Sequence, residues 1–276
     1  MGSRLKALLL GAGALAACAA PQETPAIARA DYSAQLYTLR AEAERDGLPD
    51  VLRRVADLGY GGVEFAGLYG ENPVELRALM DELGLRAVGN HVWWEAFRDA
   101  PEAAIAETKA LGAPYLILAW LPEDERDEAE EWKAWAEALN RVGAMAARDG
   151  VRVAYHNHDF EFQEVDGVVP YDLLLERLDP ALVDFQLDMY WATLAGRNPR
   201  ALVAAHPGRF PLSHVKDMAK SGEAMVDVGD GRIGYRDLLP ELKALGMREF
   251  TVEHDTTDAP YRTLERSLDH LSEELR

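Results

Sequence analysis

Four short apolar runs in the second half of the chain each end in side chains able to bind a metal or move a proton. His156 and His158 close the first, and Asp188 closes the second. His214, Lys216 and Asp217 close the third, Glu253 and His254 the fourth. Any one of these is explained by a hydrogen-bonded strand-end histidine, a helix N-cap aspartate or a solvated loop. Four in succession are hard to explain by packing. Strand side chains alternate faces with a period of two. His156 therefore shares a face with His158, Asp188 with Gln186, His214 with Lys216, and Glu253 with Thr251. If those faces turn inward, His156, Asp188, His214 and Glu253 bring two imidazoles and two carboxylates to one point. That donor mixture suits a divalent transition ion, Mn, Zn, Co or Fe. Mg prefers oxygen, keeps its waters and fits less well. An ion held there polarises a bound carbonyl, and a carboxylate at the same point can remove the adjacent proton. Glu253 is the candidate base. Lys216 either neutralises developing oxyanion charge or forms a salt bridge to Asp217 or Asp188.

Side chains on four separate runs meet only if the runs are neighbouring strands. From residue 31 the chain alternates short apolar runs with amphipathic helical patterns. The runs predict strands at Ser33–Tyr37, Gly62–Phe65, Arg86–His91, Tyr115–Ala119, Val151–His156, Val183–Leu187, Leu212–Val215 and Phe250–Glu253. Helical patterns lie at Leu48–Leu58, Pro73–Leu83, Pro101–Leu111, Asp127–Arg148, Tyr171–Leu178, Tyr235–Leu245 and Tyr261–Leu275, with the weakest near Arg200–Ala205. Proline recurs at helix starts (Pro49, Pro73, Pro101, Pro170, Pro199), where its missing N–H costs nothing. Glycine follows helix ends at Gly59, Gly84, Gly112, Gly150 and Gly246. This alternation predicts an α/β fold, a single-domain (β/α)8 TIM barrel over residues 31–276, with its active face at the C-terminal strand ends. A doubly wound open sheet would want a Gly-rich turn after its first strand, and none follows Tyr37.

The N-terminal segment has another character. Arg4 and Lys6 precede an apolar run, Ala7–Ala17, too short to span a bilayer. This reads as a secretory signal over residues 1–17. Leu15-Ala16-Ala17-Cys18 resembles the lipobox of bacterial lipoproteins, with Cys18, the sole cysteine, as the lipidated residue. Residues 18–30 read as a tether. The expectation is an exported protein, lipid-anchored on the periplasmic side of a bacterial membrane and touching lipid only through that anchor. The formal charge is −19, and removing residues 1–17 leaves −21. Such a surface repels nucleic acid and anionic lipid.

The motifs carry a family resemblance over roughly residues 31–275. They are Ala34-Gln35-Leu36-Tyr37, Gly59-Tyr60-Gly61-Gly62-Val63-Glu64, Tyr155-His156-Asn157-His158-Asp159-Phe160-Glu161-Phe162, Leu187-Asp188, His214-Val215-Lys216-Asp217, Gly229-Asp230-Gly231 and Val252-Glu253. The chain resembles the sugar phosphate isomerase/epimerase family, the xylose-isomerase-like barrels that also include inosose dehydratases and endonuclease-IV-type enzymes. The resemblance implies one metal held by a residue from each of the last four strands, here His156, Asp188, His214 and Glu253. The usual first ligand is Glu, and here it is His156. Trp191 stands where many members have His. The two-base epimerases of the family use both metal-bound glutamates, so in this chain His158, Glu161 or Lys216 would have to supply the second acid or base. The resemblance implies a sugar isomerase or epimerase working through an enediolate, and export with the cation-poor segment Asp227–Arg232 points to an unphosphorylated sugar or glycoside. The alternatives are a keto-sugar or keto-glycoside lyase or hydratase, and a non-catalytic carbohydrate-binding lipoprotein. Glu64 and His91 are expected to hold substrate hydroxyls. Trp93, Trp120 and Trp191 are expected to stack on the sugar. Arg232 is the one convincing cation of the segment Asp227–Arg232, which argues against a phosphate site. A nucleic-acid substrate would need a basic groove.

Overall fold

The computed structural model describes residues 27–273. In chain order its strands are β1 (Tyr32–Gln35), β2 (Gly62–Ala66), β3 (Arg86–Val92), β4 (Tyr115–Leu118), β5 (Arg152–His156), β6 (Val183–Asp188), β7 (Leu212–Val215), β8 (Asp217–Met218), β9 (Met225–Val226) and β10 (Glu249–Val252). β1 to β7 and β10 form a closed parallel barrel, with β10 pairing both β7 and β1. β8 and β9 are a small antiparallel ribbon on the connection between β7 and β10. The predicted strands shift by at most two residues at either end. β1 stops at Gln35 because Leu36–Leu39 tighten into a 3₁₀ turn.

The helices cover the barrel for the reason their sequences suggest. In Pro73–Leu83 the apolar positions Leu76 and Met80, four apart, are buried. In Pro260–Glu273 Leu264, Leu268 and Leu271 do the same. Each fully buried leucine contributes about 1.5–3 kcal/mol. Gly84 ends its helix with φ of 71°, a left-handed turn that a side chain would strain. Three short helices were not legible in the pattern: Arg40–Asp46, Trp94–Asp99 and Met189–Leu194. Each has only six or seven residues, too few to display a helical period.

Residues 27–30, read from the sequence as the end of a tether, pack on the barrel instead. Ile27 is buried. Arg29 donates to the Leu58 carbonyl at 2.8 Å and to Asp269 at 2.7 Å. The proposed signal, most of the tether and Cys18 lie outside the described residues. Among the described residues no helix is long and apolar enough to cross a membrane.

The barrel interior is layered. Val88, Ile117, Ala154 and Leu212 form an apolar plug. Ala154 and Leu212 lie two residues before His156 and His214, on the same inward face. Between β2 and β3 the register slips: Val63 pairs with Ala87 but Glu64 with Gly89, leaving Val88 as a bulge. A Cβ on Gly89 would stand 2.6 Å from Ile117 Cδ1 and 3.2 Å from Glu64 Oε2. Glycine there makes room for the Glu64 carboxylate inside the barrel.

Candidate metal and substrate site

Four of the predicted residues meet at the C-terminal mouth. His156 ends β5, Asp188 ends β6, His214 lies on β7, and Glu253 follows β10. All four are buried. His156, Asp188 and His214 offer ligand atoms within 4.8 Å of one another. His214 Nδ1 lies 2.7 Å from Glu253 Oε2 and 3.7 Å from Asp188 Oδ2.

The hydrogen bonds explain how these atoms are aimed. Glu64 is fully buried and anchored by two amides, Gln35 Nε2 to Oε1 at 2.7 Å and Gln186 Nε2 to Oε2 at 2.6 Å. His214 Nε2 lies 2.6 Å from the same Oε1. A carboxylate only accepts, so Nε2 carries a proton, and Nδ1 faces Asp188 and Glu253. A carboxylate behind a ligand histidine fixes its tautomer and orientation in this way. Asp188 Oδ1 is taken up by the Trp191 backbone N–H at 2.9 Å, which leaves Oδ2 facing inward. His156 Nδ1 is buried without a hydrogen-bond partner, while Asp188 Oδ2 and Glu253 Oε2 are held by Lys216 Nζ and His214 Nδ1 lies against Glu253 Oε2. Orphaned buried polar atoms are costly. Two imidazoles and two carboxylates meeting in one buried cluster fit the donor set of a divalent transition ion.

The electrostatics ask for positive charge at the same point. Burial opposes ionisation of His214, but Glu253 and Glu64 outweigh it and hold the ring well above its ordinary range. Burial likewise opposes the charges of Asp188 and Glu253. Lys216 and His214 outweigh it and hold both carboxylates below theirs. Burial also raises Glu64, but His91 and His214 bring it down to about 2. Lys216 Nζ lies 2.7 Å from Glu253, 3.0 Å from Asp188 and 2.9 Å from Asp255.

The remaining predicted residues divide into two groups. His91, His158, Lys216, Trp93 and Trp120 line a cavity of about 610 Å³ together with His156, His214 and Glu253. Burial pushes His158 down to about 3, so its ring is neutral. The other group lies behind the cavity wall. Glu64, expected to hold substrate, sits in the network just described and does not line the cavity. Its position on the inward face below the rim puts it in reach of His214 rather than of a ligand. Glu161, expected as a second acid or base, is also walled off. It accepts from Tyr155 Oη and from the His158 backbone N–H, both at 2.8 Å. Burial raises its carboxyl to about 8. Trp191 lies behind His158, ring centroids 5.5 Å apart, and 5.8 Å from Lys216 Nζ. Asp217 is not a partner of Lys216. Its two oxygens accept from the backbone N–H groups of Met218, Gly229, Gly231 and Ile233, and so shape the loop after β8. Arg232 is exposed and bonds Met218 Sδ rather than facing the cavity.

Sequence reasoning passed over Gln35, Arg40, Tyr69 and Asp255. Gln35 and Gln186 had a readable signal, since each stands on an inward-facing strand position. Asp255 stands two residues after Glu253 and lines the cavity, with burial raising it to about 6.

A closed parallel barrel with such a cluster at its mouth defines a class: barrel proteins that bind their ligands on the C-terminal face. The chain belongs to the xylose isomerase-like TIM barrel family, whose model matches residues 52–274. It is similar to an inosose dehydratase of Geobacillus kaustophilus, 25% identical over 190 residues, covering 61% of each chain. It is also similar to the rhizopine catabolism protein MocC of Rhizobium meliloti, 26% identical over 243 residues, covering 74% of this chain and 73% of that one. The match thus spans about three fifths of the first relative's length. A crystal structure of a sugar phosphate isomerase/epimerase from Parabacteroides distasonis superposes with a TM-score of 0.74 at 24% identity. It covers 94% of this chain and 98% of that one, and the likeness is one of fold.

Proposed function

We propose that the protein is a metal-dependent sugar-processing enzyme that abstracts the proton beside a carbonyl of an unphosphorylated keto-sugar, and that the reaction it completes is β-elimination. The observation that carries this reading is the buried convergence of two imidazoles and two carboxylates at the barrel mouth: His156, Asp188 and His214 offer ligand atoms within 4.8 Å of one another, and His214 Nδ1 lies 2.7 Å from Glu253 Oε2. A divalent ion held by these side chains would polarise the substrate carbonyl and stabilise charge developing on its oxygen. Glu253 takes the adjacent proton, and its carboxylate is already held ionised. Lys216, fixed by three carboxylates, keeps Glu253 in place and adds positive charge beside the developing oxyanion. The proton taken by Glu253 is returned to the departing hydroxyl, which leaves as water, and the neutral His158 ring on the cavity wall offers that oxygen a hydrogen bond.

Elimination is favoured over epimerisation by what faces Glu253. Around the barrel β4 is opposite β10, flanked by β3 and β5. That wall presents His91, Trp93, Trp120, His156 and His158 to the cavity and no carboxylate, since Glu161 is walled off behind His158. Exchange of a proton across one carbon wants a base on each side. The curated relatives named as inosose dehydratases support the same preference. Isomerisation or epimerisation is the second reading. It shares the first step and would need the His158 imidazole as the second base. Export and lipid anchoring through Cys18 belong to the same proposal, with a small carbohydrate as the partner.

The test is turnover of keto-sugars in heavy water by the metal-loaded protein. Elimination yields an unsaturated product or a smaller one. Isomerisation yields an isomer differing only by the label. Glu253→Gln is expected to lose roughly 10²–10⁴-fold in rate while keeping much of its substrate binding. Full activity in that variant refutes the base assignment.

A further inference from the structure

Four large hydrophobic side chains are exposed among the described residues: Tyr37, Tyr69, Val74 and Trp93. Three of them, Tyr37, Tyr69 and Trp93, line the same cavity. Trp93 is 58% exposed, and its ring meets Trp120 edge-on with centroids 6.2 Å apart. Exposed aromatics gathered at one opening mark a binding surface. Tyr69 carries a φ of 52°, unusual for a bulky residue, between Gly67 at 95° and Gly70 at 85°. Strain of this kind persists where the surroundings enforce it, and it clusters at ligand clamps.

The cavity has two zones. Its inner zone is polar, lined by His91, His156, His158, His214, Lys216 and Glu253. Its outer zone joins the aromatic rings to two charged side chains, Arg40 and Glu44. Arg40 is held over the Tyr37 ring at 4.2 Å and donates to the carbonyls of Tyr37 and Asp255 at 2.8 and 2.9 Å. Flat apolar faces beside fixed polar groups suit a pyranose ring, which stacks through its C–H face and bonds through its hydroxyls. The volume of about 610 Å³ falls among sites for drug-sized ligands, roughly 300–1,000 Å³, so one hexose in the inner zone leaves the outer zone free.

We propose that the rim formed by Trp93, Trp120, Tyr37 and Tyr69 is a second subsite that binds the outer ring of a glycoside, so that the ligand has two linked rings. The assignment of the inner zone rests on the function proposed above; the outer subsite is tested by binding alone. Calorimetric titration compares cellobiose and trehalose with glucose, on the wild-type chain and on Trp93→Ala. At least one disaccharide is expected to bind tenfold or more tightly than glucose. Trp93→Ala is expected to lose at least tenfold for that disaccharide and under twofold for glucose, with an unchanged melting temperature. Trp93→Phe keeps a stacking face and is expected to restore most of the affinity. Equal affinity for one and two rings, no binding of either, or disaccharide affinity unmoved in Trp93→Ala overturns the proposal. Because no turnover is read, failure of the elimination chemistry leaves this result interpretable, and the converse holds too.

Discussion

The plug and the mouth of the barrel are built from the same strands, yet they are finished differently. Ala154 and Leu212 are apolar, buried and packed with Val88 and Ile117. Two residues further along the same strands stand His156 and His214, equally buried but gathered with Asp188, Glu253 and Lys216 into one charged cluster. Burial alone therefore does not call for charged side chains. The plug shows that this barrel can fill its interior without them. A protein that gathers two imidazoles, two carboxylates and a lysine at one buried point, and holds the Glu64 carboxylate beside them with two amides and two imidazoles, has arranged that point for something other than packing.

Substitutions that treat the two layers separately sharpen the contrast. Leu212→Ala removes plug volume and is expected to destabilise the fold by about 2–5 kcal/mol, measured by chemical denaturation of metal-free protein. Its affinity for a divalent ion is expected to stay within a few-fold of wild type. If ion affinity collapses with it, the layers are not independent. Glu64→Gln acts from the other side. It keeps all four ligands but removes the charge behind His214 and turns one of the two accepting oxygens into a donor, so ion affinity is expected to fall by about 10–100-fold. An unchanged affinity would make Glu64 a packing residue.

The barrel was largely legible because its signals are local. Proline at helix starts, glycine after helix ends and the alternation of short runs need no tertiary information. The convergence of His156, Asp188, His214 and Glu253 was approachable because strand parity and strand ends fix which way a side chain points. Depth was not legible. Glu64 and His91 both face inward from neighbouring strands, yet one lies beneath the cavity and the other lines it. The bulge at Val88 sets that difference, and nothing in the sequence marks it. Glu161 and Trp191 sit after strand ends, where short turns rather than strand parity decide direction. Asp217 could not be told from a partner of Lys216, because its real partners are backbone N–H groups up to sixteen residues away.

The central claim is a single divalent ion at the mouth. The most direct measurement is a calorimetric titration of chelator-stripped protein with Mn and with Zn, beside Asp188→Ala. The expected result is one ion bound per chain in the wild type and at least a hundredfold weaker binding in the variant. Absence of stoichiometric binding, or binding that Asp188→Ala leaves untouched, contradicts the account.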